Sequence, residues 1–265
     1  MVRIGMTDHP IVRKALDEGE INLDYLEVHG PFIEEARRVY PHKPMLLHNA
    51  LYQWSLCHPK GLQFQDGETI IRERLAISHS PWYSLHLGFS AAEVDFANES
   101  MLALTPVLPP ETVYERCCRV LNEMRQSLGS DMPVLVENLD YNPGGAYETV
   151  CDPHFINVVV EQTGVGLLLD LAHARISAHA LQLPVEDYLS QLPLDSVCQL
   201  HVNRPLWNGS RLWDAHEDLL EPDYALLAWT LSRTEPWAIT IEYNRDIKKI
   251  PTMVKRVRDL VNPVV

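Results

Sequence analysis

Short apolar and β-branched runs alternate with helix-like stretches along the whole chain. The runs fall at residues 3–6, 25–29, 44–48, 83–87, 133–137, 166–170, 197–201 and 238–242, and each predicts a short strand. Between them, apolar positions three or four apart predict helices over about 32–40, 68–78, 111–128, 154–162, 185–192, 223–232 and 250–261. Eight such alternations fit the α/β class, as a single closed (β/α)8 TIM barrel. An open doubly wound sheet usually has fewer strands, and no glycine-rich phosphate turn follows the first run. No Gly, Ser or Pro-rich linker divides the chain, so residues 1–265 are expected to form one domain. The long connections are 49–67, 89–109, 138–153 and 202–221. All follow strands, on the side where barrels of this kind carry their active sites.

Composition narrows the partners. The apolar runs are far shorter than the ~20 residues of a membrane span. The first residues contain no apolar signal core, so a cytoplasmic protein is expected. Asp and Glu number 36 against 22 Lys and Arg, a formal charge of −14. Such a surface repels phosphate backbones, and loop 49–67 carries Lys60 as its only basic side chain other than histidine, so nucleic acid is not an expected partner. Cys57, Cys117, Cys118, Cys151 and Cys198 form no C-x-x-C pair and are expected as reduced, packed thiols. Histidine, at 12 residues, is the type that stands out.

Position gives those histidines meaning. The third run ends at His48-Asn49, the fourth contains His86, and the fifth ends at Glu137-Asn138. The sixth ends in Asp170-Leu-Ala-His173, and the seventh in His201-Val-Asn203, with Asp214-Ala-His216 in the loop beyond. The eighth ends in Glu242-Tyr-Asn244. One ionisable residue at one strand end is ordinary rim chemistry; a barrel brings all of these to one mouth. Carboxylates crowded there repel unless cations or shared protons intervene. Mixed imidazole and carboxylate donors suit Zn, Mn or Fe. Asn49, Asn138, Asn203 and Tyr243 are placed to hold ligand groups from behind. Asp8, His9, Glu27 and His29 end the first two runs and are candidates for the same supporting role or for substrate contact. Arg175, Arg204 and Arg245 follow strand ends and would bind an acidic substrate group or form surface ion pairs. His42, His58, His79, His154 and His179 are expected in solvent. No Gly-x-Ser-x-Gly and no phosphate loop is present.

The ordered set His48, His86, Glu137, Asp170, His173, His201, Asp214, His216 and Glu242 resembles the trinuclear metal set of the xylose-isomerase-like barrel superfamily. It is similar to that of the type 2 apurinic endonucleases. The surrounding words Val136-Glu-Asn138, Gly166-Leu-Leu-Leu-Asp170-Leu-Ala-His-Ala, Leu200-His-Val-Asn, Leu212-Trp-Asp-Ala-His216-Glu and Thr240-Ile-Glu-Tyr243 resemble another branch. That branch is the multinuclear non-heme iron-dependent oxidative enzymes, the family of the methanobactin-biosynthesis oxidase. The resemblance covers about residues 3–260.

The resemblance implies that His48, His86 and Glu137 hold one metal, and that Glu137 bridges to a second held by Asp170, His201 and Glu242. His173, Asp214 and His216 would hold a third. His173 stands where many of these oxidases carry Asn, so both two and three ions remain open. Iron is the implied cofactor, with Zn or Mn as substitutes, and Glu137, Asp170 and His201 are the implied catalytic ligands. The implied reaction uses O2 to oxidise a residue, most often Cys, of a ribosomally made precursor peptide. A leader-binding partner protein is a further expectation, because the barrel takes up nearly all residues. A sugar isomerase or epimerase, a phosphodiester hydrolase like endonuclease IV and a metal-storage module are the alternatives. The first leaves His173, Asp214 and His216 less explained, and the acidic surface argues against the second.

Overall fold

The computed structural model describes residues 1–51, 54–97 and 100–262. In chain order the first half contains β1 (Arg3–Thr7), α1 (Pro10–Asp17), β2 (Tyr25–His29), α2 (Ile33–Val39), β3 (Met45–His48), α3 (Gly67–Ser78) and β4 (Tyr83–His86). A hairpin of β5 (Val94–Ala97) and β6 (Ser100–Ala103) precedes α4 (Pro110–Leu128) and β7 (Val134–Glu137). Then come α5 (Pro153–Thr163), β8 (Gly166–Asp170), α6 (Leu171–Ala180), α7 (Val185–Leu189) and β9 (Val197–Val202). A second hairpin, β10 (Arg204–Asn208) and β11 (Arg211–Glu217), precedes α8 (Glu221–Leu231), β12 (Ala238–Ile241) and α9 (Ile250–Val261).

Eight strands close a parallel barrel in the order β1-β12-β9-β8-β7-β4-β3-β2. All pairings within it are parallel, which brings every carboxyl end to one rim. The period of two along each strand sorts the side chains. Leu26, Val28, Leu47, Val136, Leu169 and Ile239 join the large core between barrel and helices. Tyr25, Leu46, Leu135, Leu168 and Ala238 instead form a separate apolar floor with Trp82. One step up each strand, Glu27, His48, Glu137, Asp170 and Thr240 occupy the next interior layer, and all are buried. Gly5 makes room for the floor: a Cβ there would stand 2.4 Å from the Tyr25 ring.

Three features differ from the sequence-based expectation. A helix, α1, follows β1; Pro10 opens it, and the His9 ring accepts from the Ile11 amide at 3.3 Å. A helix, α6, follows β8 with no loop between them, because Asp170 itself caps it: Oδ1 accepts from the His173 amide at 2.6 Å. Leu171, Ala172, His173, Ala174 and Ile176 on α6 are all buried, so no polar face revealed its period. Connections 89–109 and 202–221 are antiparallel hairpins rather than open loops.

Candidate metal centre

Glu137, at the end of β7, is the hub. Its Oε2 lies 3.0 Å from His48 Nε2 and 3.3 Å from His86 Nε2. Its Oε1 lies 3.1 Å from His201 Nδ1. One carboxylate therefore faces imidazoles of β3 and β4 on one oxygen and of β9 on the other. Burial pushes the Glu137 carboxyl up, but His48 and His201 outweigh it and hold it well below the usual carboxylate range.

The opposite wall is built from β8, β9 and the residue after β12. His201 Nδ1 is 3.5 Å from Glu242 Oε1, and Asn203 Nδ2 donates to Glu242 Oε2 at 3.2 Å. The Asn138 side chain accepts from the Asp170 amide at 2.8 Å and donates to the Asp170 carbonyl at 3.0 Å. Burial, reinforced by Glu242, Asp214 and Glu137, holds the Asp170 carboxyl well above its usual value, despite His173.

The hairpin β10–β11 brings a third group over the mouth. Asp214 Oδ2 is 2.7 Å from His216 Nε2 and 3.6 Å from His173 Nε2. His173 Nδ1 lies 2.9 Å from the Asn138 carbonyl, to which only an N–H can bond, so Nε2 keeps the free lone pair. His216 holds a positive φ of 47°, and Asp214 raises its pKa to about 10 against the effect of burial. Exposure falls steeply inward: the His216 side chain is 41% accessible and that of His201 1%.

Hydrogen bonds from behind fix the ring orientations. His48 Nδ1 is 2.9 Å from Ser84 Oγ. Asn49, at φ 46°, accepts from the His86 amide at 2.9 Å and offers its Nδ2 to His48 Nε2 at 2.8 Å, an N–H that a cation would displace. Beneath His201 runs a network through the barrel interior. Trp82 Nε1 donates to Gln199 Oε1, which orients the Gln199 amide so that Nε2 donates to Glu27 Oε2 at 2.5 Å. Thr240 Oγ1 donates to the same oxygen at 2.9 Å, with the Tyr25 hydroxyl behind it at 2.8 Å. His201 Nε2 completes the set at 2.9 Å, so it carries the proton and Nδ1 faces Glu137 and Glu242. Burial alone would raise Glu27, but His201 and its neighbours hold it at about 2.

The geometry suits cations. Glu137 Oε2, Asp170 Oδ2, His201 Nδ1 and Asp214 Oδ1 are buried and make no hydrogen bond to any described residue. His48, His86 and Glu137 donors lie within 4.8 Å of one another, as do those of Glu27, His201 and Glu242, and of Glu137, Asp170 and His173. In the last two groups, three donors already saturate Glu27 Oε2, leaving only its buried Oε1 without a hydrogen bond to any described residue, and the carbonyl bond occupies His173 Nδ1. These atoms orient ligands better than they bind metal.

His48, His86, Glu137, His173, Asp214, His216 and Glu242 line one cavity at this rim, with Asp170 and His201 buried against them, whereas Asp8 is ion-paired with Arg13 at 2.6 Å and His9 caps α1. Other expectations are corrected. Tyr243 supports no ligand; its hydroxyl accepts from the Asp246 amide at 3.1 Å. Of the two alternatives for the arginines, the structure shows ion pairs: Arg175 is bonded to Asp223, Arg204 lies 3.2 Å from Asp218, and Arg245 lies 3.2 Å from Glu217. His58 is buried against Phe64, with ring centroids 3.9 Å apart, because the loop after β3 folds over it. Cys198 is only half-buried. Ser84, Gln199 and Thr240 were not recognised from the sequence. Each stands two residues before a strand-end group, His86, His201 and Glu242, and the strand period puts both on one face. Asp140 also joins the wall of the cavity above the rim, which encloses about 640 Å³.

Residues 14–262 match the family described as RiPP precursor modification enzyme MbnB/TglH/ChrH. The chain belongs to this family. Its members are enzymes acting on precursors of ribosomally made, post-translationally modified peptides. A UPF0276 protein of Psychromonas ingrahamii is 28% identical over 281 residues, covering 98% of this chain and 93% of its own. One from Paraburkholderia phytofirmans is 28% identical over 176 residues, 64% of this chain and 55% of its own. Among solved structures, the 3-keto-D-glucoside 4-epimerase YcjR from E. coli superposes with a TM-score of 0.62 at 14% identity, covering 98% of this chain and 99% of that one. A D-tagatose 3-epimerase-like protein gives 0.65 at 13% identity over the whole of both chains. At such identity the likeness establishes the barrel and nothing about activity. Among the described residues, no helix is long and apolar enough to cross a membrane.

Proposed function

We propose that this family member is a multinuclear non-heme iron enzyme that uses O2 to oxidise a residue, Cys in the first instance, of a ribosomally made precursor peptide. The observation that carries the reading is Glu137, whose two oxygens face His48 and His86 on one side and His201 on the other. In this reading His48, His86 and Glu137 hold one ion. Glu137, Asp170, Glu242 and His201 through Nδ1 hold the second. His173 through Nε2, Asp214 and His216 hold the third. When bound, iron supplies the redox couple and the positions at which a thiolate and O2 are brought together.

The chain's own groups set the conditions. Glu27 keeps the proton on His201 Nε2, so Nδ1 stays a donor of electrons to the metal. Asn138 ties the end of β7 to the end of β8, and the Asp170 side chain caps α6. Phe89, Phe96, Met101, Leu139 and Tyr147 line the cavity and limit water around the reacting atoms.

A sugar epimerase reading has no support beyond the shared barrel, and that apolar wall offers a polyol few partners. A phosphodiesterase reading would leave phosphate to be bound by the metals alone, since neither Lys nor Arg is among the cavity's described lining residues. The test is anaerobic purification after expression in iron-supplemented medium, followed by metal quantification and Mössbauer spectroscopy. Two or three irons per chain, two of them magnetically coupled, are expected. Isolated, uncoupled ions would contradict the bridge.

A further inference from the structure

One wall of the cavity is apolar and continuous. The Phe89 and Tyr147 rings meet edge to face, with centroids 5.6 Å apart. The Met101 amide donates to the Tyr147 hydroxyl at 3.2 Å, and Met101 is paired across the hairpin with Phe96. Directly opposed residues of an antiparallel pair project to the same face, so Phe96 and Met101 extend the wall over the mouth. Phe96 lines the cavity yet is 59% exposed, apolar surface that no described residue covers. A second observation is polar. Trp54 lines the same cavity and is buried, and its indole N–H has no acceptor among the described residues. A buried donor left unmatched is unfavourable unless a ligand supplies the acceptor.

We propose that Phe89, Tyr147, Met101 and Phe96 form a specificity subsite for a large apolar side chain next to the residue being modified, with Trp54 Nε1 donating to a main-chain carbonyl of the same segment. The inference rests on the peptide reading above. The cavity contains the metal-ligand candidates and this wall together, so a peptide bound through a thiol places its neighbouring side chain against the wall. An acidic neighbour is not accommodated. No Lys or Arg is among the described lining residues, and Glu137, Asp140, Asp214 and Glu242 already crowd the cavity with carboxylates.

The test is isothermal titration calorimetry of iron-loaded protein under argon with capped tripeptides Phe-Cys-Gly, Gly-Cys-Phe, Gly-Cys-Gly and Gly-Cys-Glu. One Phe-flanked peptide is expected to bind at least tenfold more tightly than Gly-Cys-Gly, and Gly-Cys-Glu no more tightly. The combined Phe96→Ser and Met101→Ser change should reduce that advantage below threefold, with iron content as in the parent. Trp54→Phe, which keeps the bulk and removes the N–H, should weaken all the binding peptides alike by about fivefold. Equal affinity for all four peptides, or no binding by any, would overturn the subsite. Serine counterparts separate the two claims: the same apolar preference and the same affinity with Ser for Cys would leave the subsite standing and contradict thiol coordination.

Discussion

Glu27 Oε2 accepts from His201 Nε2 at 2.9 Å and thereby sets which ring nitrogen faces Glu137 and Glu242. The two residues are 174 positions apart in sequence and are joined only because β2 and β9 both face the barrel interior. Glu27→Ala should leave His201 Nε2 without its acceptor and take one partner each from Gln199 and Thr240, which keep their bond to one another. A buried donor left without its acceptor costs about 1–3 kcal/mol. A lower melting temperature should accompany loss of metal from the His201 side, read by metal content after desalting. Glu27→Gln should melt closer to the parent but still lose metal, because its amide can donate to His201 Nε2 and turn the ring's lone pair inward. Full metal content in both variants would contradict this positioning role.

Glu137 is proposed to touch two metals. Glu137→Gln should therefore lose more than one equivalent, whereas His86→Ala, which removes a half-buried ligand of one ion, should lose about one. Quantification by inductively coupled plasma mass spectrometry decides. Equal losses in the two variants would count against the bridge.

The group at the mouth should release its ion first. His216 is 41% exposed and is held on a hairpin rather than on the barrel, so an ion held there would exchange through the open face. Brief treatment with a mild chelator should remove one equivalent from the parent and none from His216→Ala. Simultaneous loss of all metal in the parent would be the contrary outcome.

Gly5 supports the floor beneath the site. Gly5→Ala would press a Cβ to 2.4 Å from Tyr25, whose hydroxyl backs Thr240 and through it Glu27. Overpacking of this kind costs ~1–3 kcal/mol. Thermal denaturation should show a fall of roughly 2–4 °C per kcal/mol for a chain of this size class. An unchanged melting temperature would mean that the floor yields.

Much of this was legible in the sequence because chain periodicity and ligand placement coincide. His48, Glu137, Asp170 and His201 sit at the ends of apolar runs, so recognising the strands located the rim. The two hairpins were not legible: β5, β6, β10 and β11 are short and partly exposed, and Asp214 and His216 read as loop residues. Helix α6 was hidden because Leu171, Ala172, His173, Ala174, Ile176, Ser177 and Ala178 are all buried, leaving no regular polar stripe. The interior network of Glu27, Gln199 and Thr240 joins residues far apart in sequence. The step of two residues back from each strand-end group would have nominated Ser84, Gln199 and Thr240, but pairing them required the barrel register.

The central claim is oxygen-dependent oxidation at a Cys. The most direct measurement is mass spectrometry of a candidate Cys-containing precursor peptide after incubation with iron-reconstituted protein, with and without O2. The account predicts a loss of hydrogens, or a larger rearrangement, at that Cys only with O2. The change should be absent with zinc in place of iron and in His201→Ala. Oxygen-independent turnover of a sugar or a phosphodiester by the same preparation, with the peptide left unaltered, would contradict it.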